Sequence, residues 1–262
     1  MEITLDRREF LVKSSSFLFG TLFAFNGYSR AFASTLSKTF SPAQPRIALI
    51  IDDIGLTSYQ TRQFLDLGVP ITYAILPRLR KTQVLAEEIH DLGHEIMLHQ
   101  PMEPYESTID PGPGALYVGD GMTRIDRIMM ENISDVPFAQ GVNNHMGSRF
   151  TSCEKEMNEV LQVVKSKGFF FVDSLTTNHS AAYSTAKKLE VSAARRHIFL
   201  DNCLEESAIL SQLASLKNIA IKNGYAVGIG HPFPETAKAV KRFLGTLKDS
   251  PFSLVYISQV LS

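Results

Sequence analysis

The sequence contains no tryptophan, only two cysteines and almost no net charge, and the last two shortages each exclude a class of protein. Cys153 and Cys203 stand in no CxxC or His-Cys spacing, which excludes a scaffold built from disulfides and a thiolate zinc site. Two partly buried free thiols are the favoured interpretation, and one bridge between them is the alternative. The net charge of −1 supplies no global field, so we expect no nucleic-acid partner.

Residues 1–33 have the layout of an export signal rather than of a membrane anchor. Arg7 and Arg8 precede a modestly apolar stretch, and Ala33 ends a small-residue cleavage site. The apolar stretch is about half of the ~20 residues that span a bilayer, so no transmembrane anchor is predicted after signal removal. Paired arginines resemble a twin-arginine signal. With residues 34–45 as a linker, we expect a periplasmic or secreted protein; an amphipathic helix of a cytosolic protein is the alternative.

From Arg46 onward, short apolar runs rich in β-branched residues alternate with amphipathic segments. Runs that are apolar on both faces and separated by helices indicate a parallel sheet. Seven or eight such units predict a single closed or nearly closed (β/α) barrel over residues 46–262. An open doubly wound sheet is the competing fold, but no glycine-rich nucleotide loop supports it. The candidate strands are 47–51, 71–75, 95–98, 140–143, 169–172, 197–200, 225–229 and 254–257.

Local signals predict where several helices begin and end. Gly93 and Gly224 follow amphipathic segments at the place where a glycine commonly stops a helix. The run Thr151-Ser152-Cys153-Glu154 predicts a capping box at the start of another helix.

Polar residues follow the candidate strands directly, at the point where each strand ends. In a barrel of parallel strands these ends meet at one mouth, where reactive side chains are usually catalytic. Buried unpaired charges cost several kcal/mol each, so this many polar strand ends need a common partner. Carboxylates and imidazoles without thiolates are typical of a catalytic divalent metal site. The polar residues are Asp52, Asp53, His99, Asn143, Asn144, His145, Asp173, Ser174, Asp201 and His231.

Six segments that contain these residues resemble the divergent polysaccharide deacetylases, distant relatives of the NodB-type carbohydrate esterases. The resemblance covers about residues 45–261, with the motifs in the expected order. It implies a distorted (β/α) barrel that hydrolyses N-acetyl groups of a polysaccharide or peptidoglycan-type substrate at a divalent metal, usually zinc. The segments are 50–55, 94–103, 141–148, 171–174, 199–201 and 228–232.

The resemblance also implies a set of metal ligands. Asp53 corresponds to the second aspartate of the family's first motif, which is a ligand, and His99 corresponds to the first histidine of the next motif. The second histidine of that motif is replaced by Glu103. The third ligand is therefore either Glu103 or His145, and His145 is favoured because it preserves the imidazole ligand type.

The same resemblance implies the catalytic groups. Asp52 corresponds to the family's general base, and His231 to the general acid that protonates the leaving amine. A carboxylate commonly orients a catalytic imidazole, and Asp173 or Asp201 would serve here. Arg149 is expected either to hold the substrate or to pair with Asp173.

Other residues are candidates for contacts with the substrate or support of the metal ligands. Asn144 and Ser174 belong to this group because each follows a strand. The long irregular segment from Met102 to Met122 is a candidate substrate loop. In the absence of tryptophan, the aromatic platforms for sugar rings would be Tyr105, Tyr117 and Phe150.

Two functions without catalysis remain as alternatives. A divergent enzyme fold can lose its chemistry and keep its cleft, which would give a silent glycan-binding domain in the periplasm. The second is a cell-wall-associated scaffold that contacts partners through the 102–122 loop. The presence of both Asp52 and His231 favours the hydrolase, because neither is needed merely to bind.

Overall fold

Within residues 44–262, nine parallel strands form the centre of the structure, and helices cover one face of the sheet. The computed structural model describes residues 44–262, so the predicted export signal lies outside the described residues. The strands are β1 (Arg46–Ile54), β2 (Thr72–Ile75), β3 (Glu95–Met102), β4 (Ala139–Met146), β5 (Phe170–Asp173), β6 (Ala193–Arg195), β7 (Ile198–Phe199), β8 (Tyr225–Gly230) and β9 (Ser253–Val255). The α-helices are α1 (Ser58–Leu65), α2 (Thr82–Asp91), α3 (Met122–Asp135), α4 (Glu154–Ser166), α5 (Ala182–Lys188), α6 (Glu206–Asn223) and α7 (Pro234–Gly245).

The sheet curls into an incomplete barrel. Its strand order is β6-β5-β4-β3-β2-β1-β8-β7, and β9 pairs with the first residues of β1. Within residues 44–262, β6 and β7 share no ladder, so the barrel has a seam between them. Ser262 exchanges two backbone hydrogen bonds with Ala193 and thereby covers part of the β6 edge. The predicted distorted (β/α) barrel is confirmed.

Side chains alternate between the two faces of β1, and this explains how the strand contributes to both the core and the site. Ile47, Leu49 and Ile51 belong to the large apolar cluster that contains the helix side chains. Ala48 and Ile50 belong to a smaller cluster of strand residues inside the curve of the sheet. Because side chains alternate between the faces of a strand, the next inward position after Ile50 is Asp52. The apolar interior therefore ends in a carboxylate at the mouth.

The helix stops predicted at Gly93 and Gly224 are confirmed, since each follows a helix with positive φ. The predicted capping box is wrong. The Thr151 and Ser152 hydroxyls donate to carbonyls four residues back in the chain, and Cys153 makes no side-chain cap at the start of α4. Because both hydroxyls bond to carbonyls within their own turns, neither is left to cap the backbone N–H groups at the start of α4.

The strand predictions were least accurate near the seam. The strand expected at 197–200 is only two residues long, and the three-residue β6 before it was not predicted. Runs this short carry too little periodicity to detect. Both cysteines are free thiols; Cys153 is partly buried as expected, but Cys203 is exposed. Within residues 44–262, no helix is long and apolar enough to cross a bilayer.

Candidate metal centre

An irregularity at the end of β1 brings two consecutive aspartates to the same place. The register with β2 shifts between Ile51 and Ile54, and Asp53 between them has φ of 57°. This left-handed conformation is uncommon outside glycine, although aspartate tolerates it better than most residues. Consecutive side chains of a regular strand point to opposite faces. Here Asp52 and Asp53 both approach His99, and the bent backbone is what permits it.

Asp53, His99 and His145 form a compact cluster at the mouth, which we call the metal triad. Neighbouring strands β3 and β4 carry the two histidines. Asp53 Oδ1 lies 3.1 Å from His99 Nε2 and 2.9 Å from His145 Nδ1. The two imidazole nitrogens are 3.1 Å apart. Three ligand atoms therefore converge on one point.

The geometry of the metal triad fits a divalent cation. Asp53 Oδ1 is buried and has no hydrogen-bond partner among the described residues, although both nitrogens are close. Ligands held at ~2.0–2.1 Å in a tetrahedral zinc site lie about 3.3 Å apart, close to the observed spacing. Burial alone would raise the pKa of Asp53, but the imidazoles of His145 and His99 close to its carboxylate hold that pKa well below its usual range. An ionised carboxylate facing two imidazoles could hold a metal.

Glu103 lies outside the metal triad and has other partners. Its Oε1 accepts from Arg149 Nη1 at 2.8 Å, and its Oε2 accepts from the backbone N–H of Val118 at 2.8 Å. The carboxylate thus pins the long loop to the segment after β4. Of the two candidates for a third ligand, the structure brings His145 to Asp53 and His99, and not Glu103. Arg149 pairs with Glu103, so the expected pairing with Asp173 is corrected.

Asp52 lies beside the triad and is almost fully buried. Its Oδ2 is 3.7 Å from His99 Nε2, and its Oδ1 accepts from Asn143 Nδ2 at 2.8 Å. Burial raises the pKa of Asp52, in opposition to the nearby charges of His99 and His231. Burial would lower the pKa of His99, but Asp52 and Asp53 raise it. Asn143, which the sequence placed at a strand end without a role, bonds directly to both groups.

His231 occupies the other side of the mouth, where Asp201 holds it. His231 Nδ1 is 2.9 Å from Asp201 Oδ1, and the backbone N–H of His231 donates to Oδ2. Thr236 donates to the same carboxylate. Burial opposes protonation, but the hydrogen bond and charge of Asp201 raise the pKa of His231 to about 9. Nε2 lies 4.0 Å from Asp53 Oδ2.

Asp173, Asn144 and Ser174 support the loop after β5. Asp173 accepts from the Ser180 hydroxyl and from the backbone N–H of Tyr183. Asn144 accepts from the backbone N–H of Ser174, whose hydroxyl is 3.3 Å from an Asn143 nitrogen. Of the two aspartates considered for orienting His231, the structure therefore places Asp201 there and uses Asp173 in the loop.

Arg196 is a further residue at the mouth that the sequence did not indicate. It stands in the seam between β6 and β7, and its guanidinium lies 3.7 Å from the centre of the Phe199 ring. Its Nε donates to the Ser174 carbonyl at 2.6 Å. Burial lowers the pKa of Arg196, against the charges of Asp173 and Asp52. A lone arginine outside any strand pattern gives no sequence signal for this position.

Two of the three expected sugar platforms are available at the surface. Tyr105 is 59% exposed and Tyr117 is 39% exposed, both within the long loop. Phe150 is fully buried beneath that loop, so it is corrected to a core residue. The loop is fixed to β3, because Leu116 exchanges backbone hydrogen bonds with Pro101 and Glu103.

Comparison with known proteins decides the family. The model of the family described as divergent polysaccharide deacetylase matches residues 49–261. The chain belongs to this family. The matched range contains all six sequence segments that carry the resemblance.

Two uncharacterized proteins are similar to this chain, one in sequence and one in structure. The uncharacterized protein YibQ of Escherichia coli K12 is 30% identical over 247 residues, which cover 92% of this chain and 75% of YibQ. The crystal structure of an uncharacterized protein from Agrobacterium tumefaciens C58 has a TM-score of 0.79 at 23% identity, covering 84% of this chain and 90% of that one.

A third comparison relates the fold to a named enzyme. The catalytic domain of a peptidoglycan N-acetylglucosamine deacetylase from Eubacterium rectale superposes with a TM-score of 0.54 at 14% identity, covering 84% of this chain and 92% of that domain. At this identity the likeness concerns the fold, and it confirms the deacetylase-like barrel.

Proposed function

We propose that this member of the divergent polysaccharide deacetylase family is a zinc-dependent hydrolase that removes N-acetyl groups from a cell-envelope glycan. One observation carries the proposal: the unpartnered oxygen of Asp53 faces two imidazole nitrogens, with Asp52 and His231 beside it. A metal triad alone would suit a binding protein. A triad flanked by a buried carboxylate and a carboxylate-held imidazole suits acid–base hydrolysis.

Asp53, His99 and His145 are the residues that would hold the metal. One carboxylate and two imidazoles leave a fourth position of a zinc site open, as catalytic zinc sites require. Bound there, zinc would polarise the amide carbonyl and lower the pKa of water. All other functions in the reaction fall to side chains of this chain.

Asp52 is the proposed general base. Its Oδ1 is occupied by the Asn143 amide, so Oδ2 is the oxygen that remains to take a proton from the attacking water. Burial raises the pKa of Asp52, and a more basic carboxylate accepts a proton more readily. The water oxygen then bonds to the acetyl carbon.

His231 is the proposed general acid. With a pKa of about 9 it carries a proton at neutral pH, and Asp201 holds Nδ1 so that Nε2 faces the triad. When the carbon–nitrogen bond breaks, the leaving nitrogen takes this proton and departs as an amine. Acetate is the other product.

The proposed substrate is an N-acetylated polysaccharide, with peptidoglycan the first choice. The family name supports a polysaccharide, and the Eubacterium rectale neighbour acts on N-acetylglucosamine of peptidoglycan. Exposed Tyr105 and Tyr117 offer flat apolar faces against which sugar rings pack. The twin-arginine-like segment around Arg7 and Arg8 supports export to the compartment that holds this polymer.

Acetate release tests the proposed function. The purified chain would be stripped with a chelator, divided, and one half reloaded with zinc before incubation with chitooligosaccharides and with peptidoglycan. We expect acetate only from the reloaded half. If the zinc-loaded protein binds these glycans but releases no acetate from any of them, the chain is a silent glycan-binding domain and the hydrolase proposal is wrong.

A further inference from the structure

A single buried amide connects the proposed base to a proposed metal ligand. Asn143 is 0% exposed, and its position on β4 is directly opposite His99 on β3. Its Oδ1 lies 2.7 Å from His99 Nδ1, while its Nδ2 donates to Asp52 Oδ1 at 2.8 Å. The Ser174 hydroxyl, 3.3 Å away, accepts from the same Nδ2.

The two ends of an amide are chemically different, and this fixes the direction of both hydrogen bonds. The amide oxygen can only accept, so His99 must carry a proton on Nδ1, which leaves Nε2 as the nitrogen that would bind a metal. The amide nitrogen can only donate, which suits the ionised carboxylate of Asp52. The reversed amide would place its oxygen against a carboxylate oxygen and lose the bond to Asp52, and it would favour the His99 tautomer with its proton on Nε2, the nitrogen that would bind a metal.

We infer that Asn143 is a positioning residue with two separable functions. Its oxygen selects the His99 tautomer that can bind a metal through Nε2, and its NH₂ group holds Asp52 with Oδ2 free. This inference rests on the proposed function, because it assigns Asn143 a role toward the metal and the base of that reaction.

The neighbouring Asn144 shows what a structural amide looks like at the same strand end. Asn144 donates to the backbone carbonyl of Met146 and accepts from the backbone N–H of Ser174, so it holds the chain path. Among the described residues, the side chain of Asn143 bonds only to other side chains, and two of them are site residues. A buried amide with no bond to the main chain contributes little to chain path and much to the orientation of its partners.

Two substitutions separate the functions. Asn143→Leu removes acceptor and donor together. Asn143→Asp keeps an oxygen that accepts from His99 Nδ1 but removes the donor to Asp52. Asn132→Leu is the matched control, because Asn132 is an equally buried asparagine whose partners include Gln100 and the Gly114 carbonyl, outside the triad.

Zinc affinity, measured by competition with a chelator, reports the first function. Loss of a partner that orients a metal-binding histidine typically weakens metal affinity ~10–100-fold, and we expect this for Asn143→Leu. We expect Asn143→Asp to bind zinc within a few-fold of wild type, because carboxylates orient metal-binding histidines well. Asn132→Leu should lose thermal stability with unchanged zinc affinity.

The kinetic constants for acetate release report the second function. Asn143→Asp should lower kcat at least ~10-fold with little change in KM, because Asp52 loses its donor and gains a like charge. Wild-type zinc affinity in Asn143→Leu, or wild-type kcat in Asn143→Asp, would overturn the inference and leave the proposed function standing. If Asn143→Leu does not fold, the kcat of Asn143→Asp decides. Wild-type protein that binds no zinc would overturn both.

Discussion

Asp201 binds His231 twice, once through the imidazole Nδ1 at 2.9 Å and once through the backbone N–H of the same residue at 2.6 Å. The carboxylate therefore fixes both the place and the charge of the imidazole. Its charge raises the pKa of His231 to about 9 in the folded chain, above the ~6.5 of an unfolded histidine.

Removing this carboxylate should lower the pKa of His231. In the metal-free protein, an NMR titration of wild type should give a His231 pKa well above ~6.5, and Asp201→Asn should return it toward that value. Thr236→Val is the control, since Thr236 donates to Oδ2 of Asp201 and the imidazole bonds to Oδ1. An unchanged His231 pKa in Asp201→Asn would remove the assigned cause of the shift.

The same pair makes stability depend on pH. A pKa raised by folding contributes stability fully below pH ~6.5, and this contribution is lost as pH rises through about 9. Metal-free wild type should therefore exceed Asp201→Asn in free energy of unfolding most clearly near pH 6, with a smaller difference near pH 10. A difference that grows with pH in urea unfolding would contradict the charge pairing.

Asp52→Asn separates catalysis from metal binding. The amide has nearly the shape of the carboxylate but cannot take a proton from water. We expect acetate release to fall by ~10²–10⁴, the usual contribution of a general base, with the zinc content of the protein unchanged. Elemental analysis beside the kinetic assay checks both. A variant that keeps zinc and wild-type turnover would exclude Asp52 as the base.

A substitution at Gly141 tests the packing around β4, the strand that carries His145. A Cβ at Gly141 would lie 2.2 Å from the ring of Phe170 on the neighbouring strand. Gly141→Ala should therefore destabilise the fold by ~1–3 kcal/mol through overpacking. Gly245→Ala is the control, because nothing lies within 4 Å of a Cβ placed at the end of α7. Equal urea midpoints for the two variants would contradict the account.

Replacement of the paired arginines near the start of the sequence tests the predicted export. Replacing Arg7 and Arg8 by lysines should leave the uncleaved precursor in the cytoplasm, because the paired arginines are read by a receptor. Cell fractionation with an immunoblot gives the result. Normal arrival of the lysine variant in the periplasm would contradict the twin-arginine interpretation.

The sequence predicted the parts of the site that depend on strand ends. Asp53, His99 and His145 each follow a buried run, and the ends of parallel strands meet at one mouth, so their association followed from topology. The positions of the strand ends did not predict that Asp201, rather than Asp173, orients His231. It depends on β7 lying beside β8, where Leu200 donates to the carbonyl of Ile229.

Other features depend on side-chain directions that no periodicity encodes. Asn143 and Asn144 are adjacent and identical, yet one serves His99 and the other serves the backbone. Phe150 enters the core because a short 3-10 helix turns it beneath the loop. Arg196 fills a seam that exists only because the barrel does not close.

The metal triad is tested most directly by anomalous scattering at the zinc edge from crystals of the zinc-loaded chain. The account predicts one peak within ~2.0–2.2 Å of Asp53 Oδ1, His99 Nε2 and His145 Nδ1. A peak bound by Glu103 in place of His145, or no peak among the three side chains, would contradict it.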